Sequence, residues 1–334
     1  SSFFMKKIAD IRATIAQNQN DLDDSTEYLL ECPYSLSSFQ LADENGIKKL
    51  IMKSPTKSCQ LDPIPTWLLK ECIEELITAI TTIVNQSLKQ SSMPDDLKMA
   101  YITPLLKKLD LLIEILENYR PVSNLPFISK IIEKHVDNQM TDHDVTYELS
   151  EDFQSAYSTF CSTETALLRV QNDLLMAVET KGAALLILLD LSAAFDTIDH
   201  QILLERLQYA YGIKGQALKW MESYLTGRTQ SVVINNTVSS PQELIFGVPQ
   251  GSVMGPKNFK RYSKPIGVIA RKHGLQFHLY ADDSQLYVTF SPKDPTDIQN
   301  AIQSVQNCIM EIKAWMTANF LKLNSDKTEI VVIT

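Results

Sequence analysis

Seven consecutive apolar residues, Ala183 to Leu189, end on Asp190, and this run limits the fold more than any other stretch of the chain. A continuous apolar segment of that length is the pattern of a β-strand buried on both faces; a half-exposed strand alternates. Its carboxylate arrives where the backbone leaves the sheet, and a charge there is costly unless it is paired or bound to a cation. The run is also far too short to cross a bilayer, which takes about 18 to 20 apolar residues.

A second stretch repeats the arrangement, because Gln276 to Phe290 reads as a hairpin with Asp282-Asp283 at its tip. If the two strands are neighbours, Asp190 and Asp282 lie side by side. Such a pair can bridge two Mg²⁺ ions about 3.5–4 Å apart, an arrangement suited to phosphoryl chemistry. Each piece alone has an ordinary explanation: an Asp-Asp pair suits a solvated turn, and Asp190 can end a strand or cap a helix. Between them lies Gly247 to Pro256, with three Gly and two Pro in ten residues. That composition suits a loop whose backbone approaches a ligand, with Gln250 and Ser252 as polar handles.

The remaining sequence supplies a packed frame. With 44% hydrophobic and 21% charged residues in 334, the chain has the composition of a globular protein with a real core. The net charge of -9 weighs against a polyanionic partner, yet a cation-holding carboxylate cluster itself lowers that sum. The five cysteines are scattered, with no C-x-x-C pair, which indicates neither a disulfide framework nor a zinc site. A reducing, nuclear or cytoplasmic location is therefore expected, and the amino-terminal Ser1-Ser2-Phe3-Phe4 reads as a cut edge rather than a signal peptide.

Ser1 to Gln90 looks helical, with helical spacing in Leu41 to Met52 and Trp67 to Leu88; beyond it Tyr101 to Leu106 reads as a strand and Ile128 to Met140 again has helical spacing. A helix from Thr163 to Val178 opens on an N-cap at Ser162. Two more are expected over Gln201 to Tyr211 and Gln216 to Leu225. Phe259 to His273 and Pro295 to Asn319 complete the helices, and a hairpin is expected from Gln230 to Phe246. Strands and helices interleave without a β-α-β repeat, which predicts an α+β fold with helices on one face of the sheet.

The LDLSAAFD, GVPQGS and YADD segments, in that order, resemble motifs A, B and C of a reverse transcriptase. The strings KSCQLDPIPTWLLK, ENYRPVSNLPFISKIIEK, STETALLRVQNDLL, YLTGRTQSV and FLKLNSDKTE extend the resemblance to jockey-like non-LTR (LINE-type) retrotransposons. It covers nearly the whole chain, most firmly from Leu97 onward.

The resemblance implies a right-hand polymerase with fingers and an antiparallel palm sheet. Residues 1–95 would form a helical extension, 96–182 the fingers and 183–334 a palm that stops before a thumb. It implies Asp190 and Asp282 as the metal pair, Asp283 as the accessory carboxylate, and two Mg²⁺ ions, with Mn²⁺ as an alternative. Phe195 would lie under the incoming sugar and exclude a 2′-OH; RNA-dependent RNA polymerases typically place a carboxylate there. Lys107 and Arg120 would grip the triphosphate, Gln250 and Gly251 would form the loop beneath template and nucleotide, and Lys327 would protonate pyrophosphate. RNA template, DNA primer and deoxynucleoside triphosphates are the implied partners; neither a membrane nor an obligate protein partner is indicated.

Three departures from the family pattern stand out. Ala156-Tyr157-Ser158 replaces a Gly-aromatic-Arg sequence, and Leu109-Asp110-Leu111-Leu112 replaces a Pro-Gly turn after Lys107-Lys108. Lys257, Lys260 and Arg261 put three charges on an expected core helix, which must then shift, expose that face or fold poorly. These charges motivate a non-enzyme alternative, a degenerate element-derived fragment that retains the fold and at most binds nucleic acid. A metal-dependent nuclease would explain the carboxylates but neither Phe195 nor the Gly247 to Pro256 loop.

Overall fold

The computed structural model describes residues 2–17 and 31–334; residues 18–30 of the expected helical region lie outside the described residues. Helix α1 covers Ser2–Gln17, followed by α2 (Glu44–Lys53), α3 (Thr66–Glu71) and α4 (Ile73–Lys89). Strands β1 (Met99–Leu106) and β2 (Tyr119–Asn124) precede α5 (Phe127–Thr146) and α6 (Thr163–Lys181). Next come β3 (Ala183–Leu189), β4 (Leu191–Ser192), α7 (His200–Tyr209) and α8 (Gly215–Leu225). After β5 (Arg228–Ile234), β6 (Thr237–Val238) and β7 (Gln242–Leu244) come α9 (Met254–Ser263) and α10 (Pro265–Lys272). The described chain ends through β8 (Gln276–Tyr280), β9 (Asp283–Phe290), α11 (Pro295–Ala318), β10 (Lys322–Leu323) and β11 (Glu329–Ile333).

These elements form two units. One gathers residues 2–9, 31–149 and 199–258; the other gathers 10–17, 150–198 and 259–334. Each is assembled from separated stretches of the chain.

In the first unit, Ile47 and Ile51 of α2, Val84 of α4 and Ile131 and Ile132 of α5 are fully buried. Trp220 of α8 is fully buried too, with its indole N–H donating to Ser87 Oγ at 2.9 Å. The sheet is mixed: β1 pairs antiparallel with β2 and parallel with β5, and β5 pairs antiparallel with β6 and β7. The Asn235-Asn236 turn has both residues at positive φ, 49° and 64°, which is how a two-residue hairpin matches strand twist.

In the second unit the sheet order is β11-β3-β9-β8, antiparallel throughout. The expectation of helices on one face is corrected here. Ala184 and Leu186 pack with Val170, Leu174 and Ala177 of α6, whereas Ala183 and Leu185 pack with Ala301 and Ile298 of α11. Successive residues of a strand face opposite ways, so an unbroken apolar run needs cover on both sides. Ser162 opens α6 as expected, with a capping box: its hydroxyl accepts from the Thr165 N–H while the Thr165 hydroxyl accepts from its own N–H. The single helix expected over Phe259 to His273 is two helices, because Pro265 has no N–H to continue a hydrogen-bond ladder and instead starts α10.

Candidate active site

The register of β3 against β9 places Leu189 opposite Ser284, so the backbone leaving β3 reaches Asp190 beside Asp283. Asp282 occupies the turn between β8 and β9, which pair up to Tyr280 opposite Asp283. The hairpin tip is therefore Ala281-Asp282, and Asp283 begins β9. Burial, then the Asp190 charge, push the Asp283 carboxyl above the ordinary range, while Lys327 pulls it back. The coupling of these two carboxylates is the electrostatic signature of the site.

Two side chains hold Asp190. The Asn324 carboxamide donates to its Oδ2 at 2.9 Å, and the Lys327 ammonium stands 3.3 Å from the same oxygen. The Asn324 N–H also donates to the Asp190 carbonyl at 2.9 Å, and β10 pairs with β4 just beyond. Lys327, singled out from sequence, thus lies against Asp190. Asn324 carries no local pattern that would have marked it.

Gln154 is the second unmarked residue. Its side-chain oxygen accepts from the Ala281 N–H at 3.0 Å, and its amide nitrogen donates to the Ala281 carbonyl at 3.2 Å. The backbone beside it pairs with β8, with Leu279 N–H donating to Phe153 O at 2.7 Å and Ser155 N–H to Leu279 O at 3.0 Å. Ala281 sits at φ 56°, a strained conformation for a residue with a Cβ. The carboxamide clamp offsets that cost and fixes the turn bearing Asp282.

Phe195 follows a tight turn in which Ala193, at φ 53°, accepts from the Asp196 N–H. Its ring lies 4.8 Å from that of Phe259, so it is supported from behind and half-exposed.

The other predicted residues belong to the first unit. Lys107 and Arg120 are exposed on the β1–β2 hairpin, where Arg120 pairs with Leu105 and the Lys107 ammonium donates to Glu117 O at 2.7 Å. The Gln250 carbonyl accepts from the Ser123 N–H of β2 at 2.8 Å. Gly251, at φ 122°, lies so close that a Cβ would meet the Ser123 carbonyl oxygen at 2.4 Å. Gly251→Ala is therefore expected to detach the loop from β2, read as lost hydrogen-exchange protection of the Ser123 amide; retained protection would contradict this reading.

Glu133, which the sequence did not single out, supports the same loop. Its carboxylate is fully buried and accepts from the N–H groups of Val253 at 2.8 Å and Met254 at 3.1 Å, and from the Tyr224 hydroxyl at 3.2 Å. Burial raises its proton affinity, with Arg228 and these donors opposing. Of the three unexpected charges, Lys257 is neutralised by Asp137 at 2.6 Å and Lys260 donates to Ser158 Oγ at 2.5 Å, while Arg261 is buried. The expected penalty for Lys257 is met by an ion pair, while Lys260 has a hydroxyl acceptor.

Among the described residues, no three His, Cys, Asp or Glu side chains converge as a metal-holding group. What the fold brings together is the coupled pair Asp190 and Asp283, with Asp282 adjacent at the turn. Hard carboxylate oxygens, with the Asp190 charge raising the proton affinity of Asp283, fit a divalent cation whose charge removes that repulsion.

Residues 106–333 match the family model described as reverse transcriptase (RNA-dependent DNA polymerase). A probable RNA-directed DNA polymerase from transposon BS of Drosophila melanogaster is 27% identical over 95% of this chain and 34% of its own length. The RNA-directed DNA polymerase from mobile element jockey of the same species is 27% identical over 90% of this chain and 33% of its own length. That from transposon X-element, described as probable, is 24% identical over 95% and 34%. The chain thus spans about a third of the length of these relatives.

Proposed function

Because the chain belongs to the reverse transcriptase (RNA-dependent DNA polymerase) family, we propose that it extends a primer 3′-OH on an RNA template with deoxynucleotides, as part of a non-LTR retrotransposon. The observation that carries this reading is the β3–β9 register, which brings Asp190 beside Asp283 at the clamped Ala281-Asp282 turn. The second unit takes the part of the palm and the β1–β2 hairpin that of the fingers.

Asp190, Asp282 and Asp283 would hold Mg²⁺, with Mn²⁺ as a substitute. The bound cation would activate the attacking oxygen and neutralise the departing pyrophosphate. Asn324 keeps the Asp190 carboxylate oriented, and Gln154 does the same for the turn. Lys327, whose ammonium lies against Asp190, would give its proton to pyrophosphate. By the resemblance, Lys107 and Arg120 take the triphosphate charge, and Gln250 with Gly251 takes template and nucleotide.

Single-nucleotide incorporation into a primer annealed to RNA, with and without Mg²⁺, tests the proposal. Magnesium-dependent addition of a deoxynucleotide is expected. RNA binding with no incorporation would favour the degenerate fragment. Phe195→Ala is expected to raise ribonucleotide incorporation relative to deoxynucleotide by about tenfold or more, since it removes the bulk set against the sugar. An unchanged ratio would remove Phe195 from that role.

A further inference from the structure

The segment that follows Gln154 has a use the polymerase reading leaves unassigned. It is pinned to the carboxylate turn by four hydrogen bonds, two from the Gln154 side chain and two from the backbone beside it. Beyond the pin, Tyr157 stands at φ 56° and Phe160 at φ 63°. Positive φ is rare for aromatic residues, and such strain collects at ligand clamps. Yet the strained conformations bury little: Tyr157 is 51% exposed and Phe160 99%.

Tyr157 is close to the carboxylate turn. Burial of part of its ring, then the charge of Asp282 and the neighbouring Tyr280, push its phenol up. An uncharged ring can hold a nucleotide beside Asp282 and Asp283 without adding to their negative charge. The nearby cation comes from α9, whose Lys260 donates to Ser158 Oγ.

We propose that the segment Gln154–Phe160 seats the 3′-terminal nucleotide of the primer, with the Tyr157 ring stacking on its base or sugar and Lys260 meeting the phosphate behind it. This rests on the polymerase reading for the identity of the strand. Ring stacking tolerates any base, because every base has a π-face, and it brings no negative charge to a rim already crowded with carboxylates. Gln154 acts as a positioning residue: by gripping Ala281 it fixes the distance between the stacking ring and Asp282. The seat also gives Lys260 a role that its place on an expected core helix did not suggest.

The full chain is titrated onto a primer annealed to RNA, with 2-aminopurine as the primer's 3′-terminal base and no nucleoside triphosphate present. Wild type should change the 2-aminopurine emission on binding. Tyr157→Ala should abolish that change and weaken binding about tenfold, within the range for loss of one base–aromatic stack. Tyr157→Phe should retain both, and Tyr157→Ala should keep the wild-type circular dichroism. Gln154→Leu should behave like Tyr157→Ala while keeping the wild-type circular dichroism, and Lys260→Gln should lower the salt dependence of binding by about one phosphate contact. Tyr157→Ala binding with wild-type affinity and emission would overturn the proposal, as would equal losses in Tyr157→Ala and Tyr157→Phe. An emission change without incorporation by any variant would sink the polymerase reading and leave the seat standing.

Discussion

Asp282→Asn is expected to reduce deoxynucleotide incorporation on an RNA template by about a thousandfold or more, equivalent to about 4 kcal/mol of lost transition-state stabilisation. The substitution keeps the Gln154 clamp on the Ala281-Asp282 turn, since that clamp grips the backbone of Ala281. Folding and primer binding should therefore persist while the negative charge is lost. That separation is what distinguishes a carboxylate acting on the reacting oxygens from one that merely completes a hairpin. Asp190→Asn should match it in rate and have a second effect: with the neighbouring charge removed, the Asp283 carboxyl should titrate lower than in wild type, readable by NMR. Undiminished incorporation by Asp282→Asn would end the assignment.

The second large effect concerns stability. Glu133→Ala should destabilise the first unit by about 3–5 kcal/mol, the usual cost of removing one member of a buried charged network. It strands the N–H groups of Val253 and Met254 and the Tyr224 hydroxyl, and it leaves the fully buried Arg228 without the charge that attracts it. A lower urea midpoint with faster exchange of the Val253 and Met254 amides is the expected result. An unshifted midpoint would show that the carboxylate is not what holds the loop. The pH dependence has a definite sign. Burial raises the proton affinity of Glu133 over its value in the unfolded chain, so its contribution is greatest at acid pH and declines as pH rises through the raised value. Glu133→Gln should lack that decline.

Much of the fold was legible because its signals are local and periodic. The apolar run of β3, the carboxylates flanking the β8–β9 turn, the capping residue of α6 and the helical spacing of α2, α4 and α5 all correspond to elements of the structure. The break at Pro265 was legible in principle, since proline cannot continue a helix. Coverage of both sheet faces also followed from the character of β3, although the wider element order pointed to one.

What escaped was set by contacts between distant residues. Gln154 meets Ala281, Asn324 meets Asp190, and Glu133 meets Val253 and Met254, each pair separated by more than a hundred residues. No spacing within a window of the chain records such a bond. Lys257 illustrates the same limit in reverse: its charge looked incompatible with a packed helix until Asp137 was found against it. The metal-binding, nucleotide-binding and proton-transfer roles of the individual residues rest on the proposal and its experiments.

The place of β3 in its sheet has a consequence for biosynthesis. The strand lies between β9 and β11, and its partner β11 is made well over a hundred residues after it. Until Glu329–Ile333 emerge from the ribosome, one edge of this very apolar strand stays open, and open apolar edges invite pairing between chains. A nascent or prematurely terminated product lacking β11 should therefore be an aggregation hazard and a ready client for chaperones.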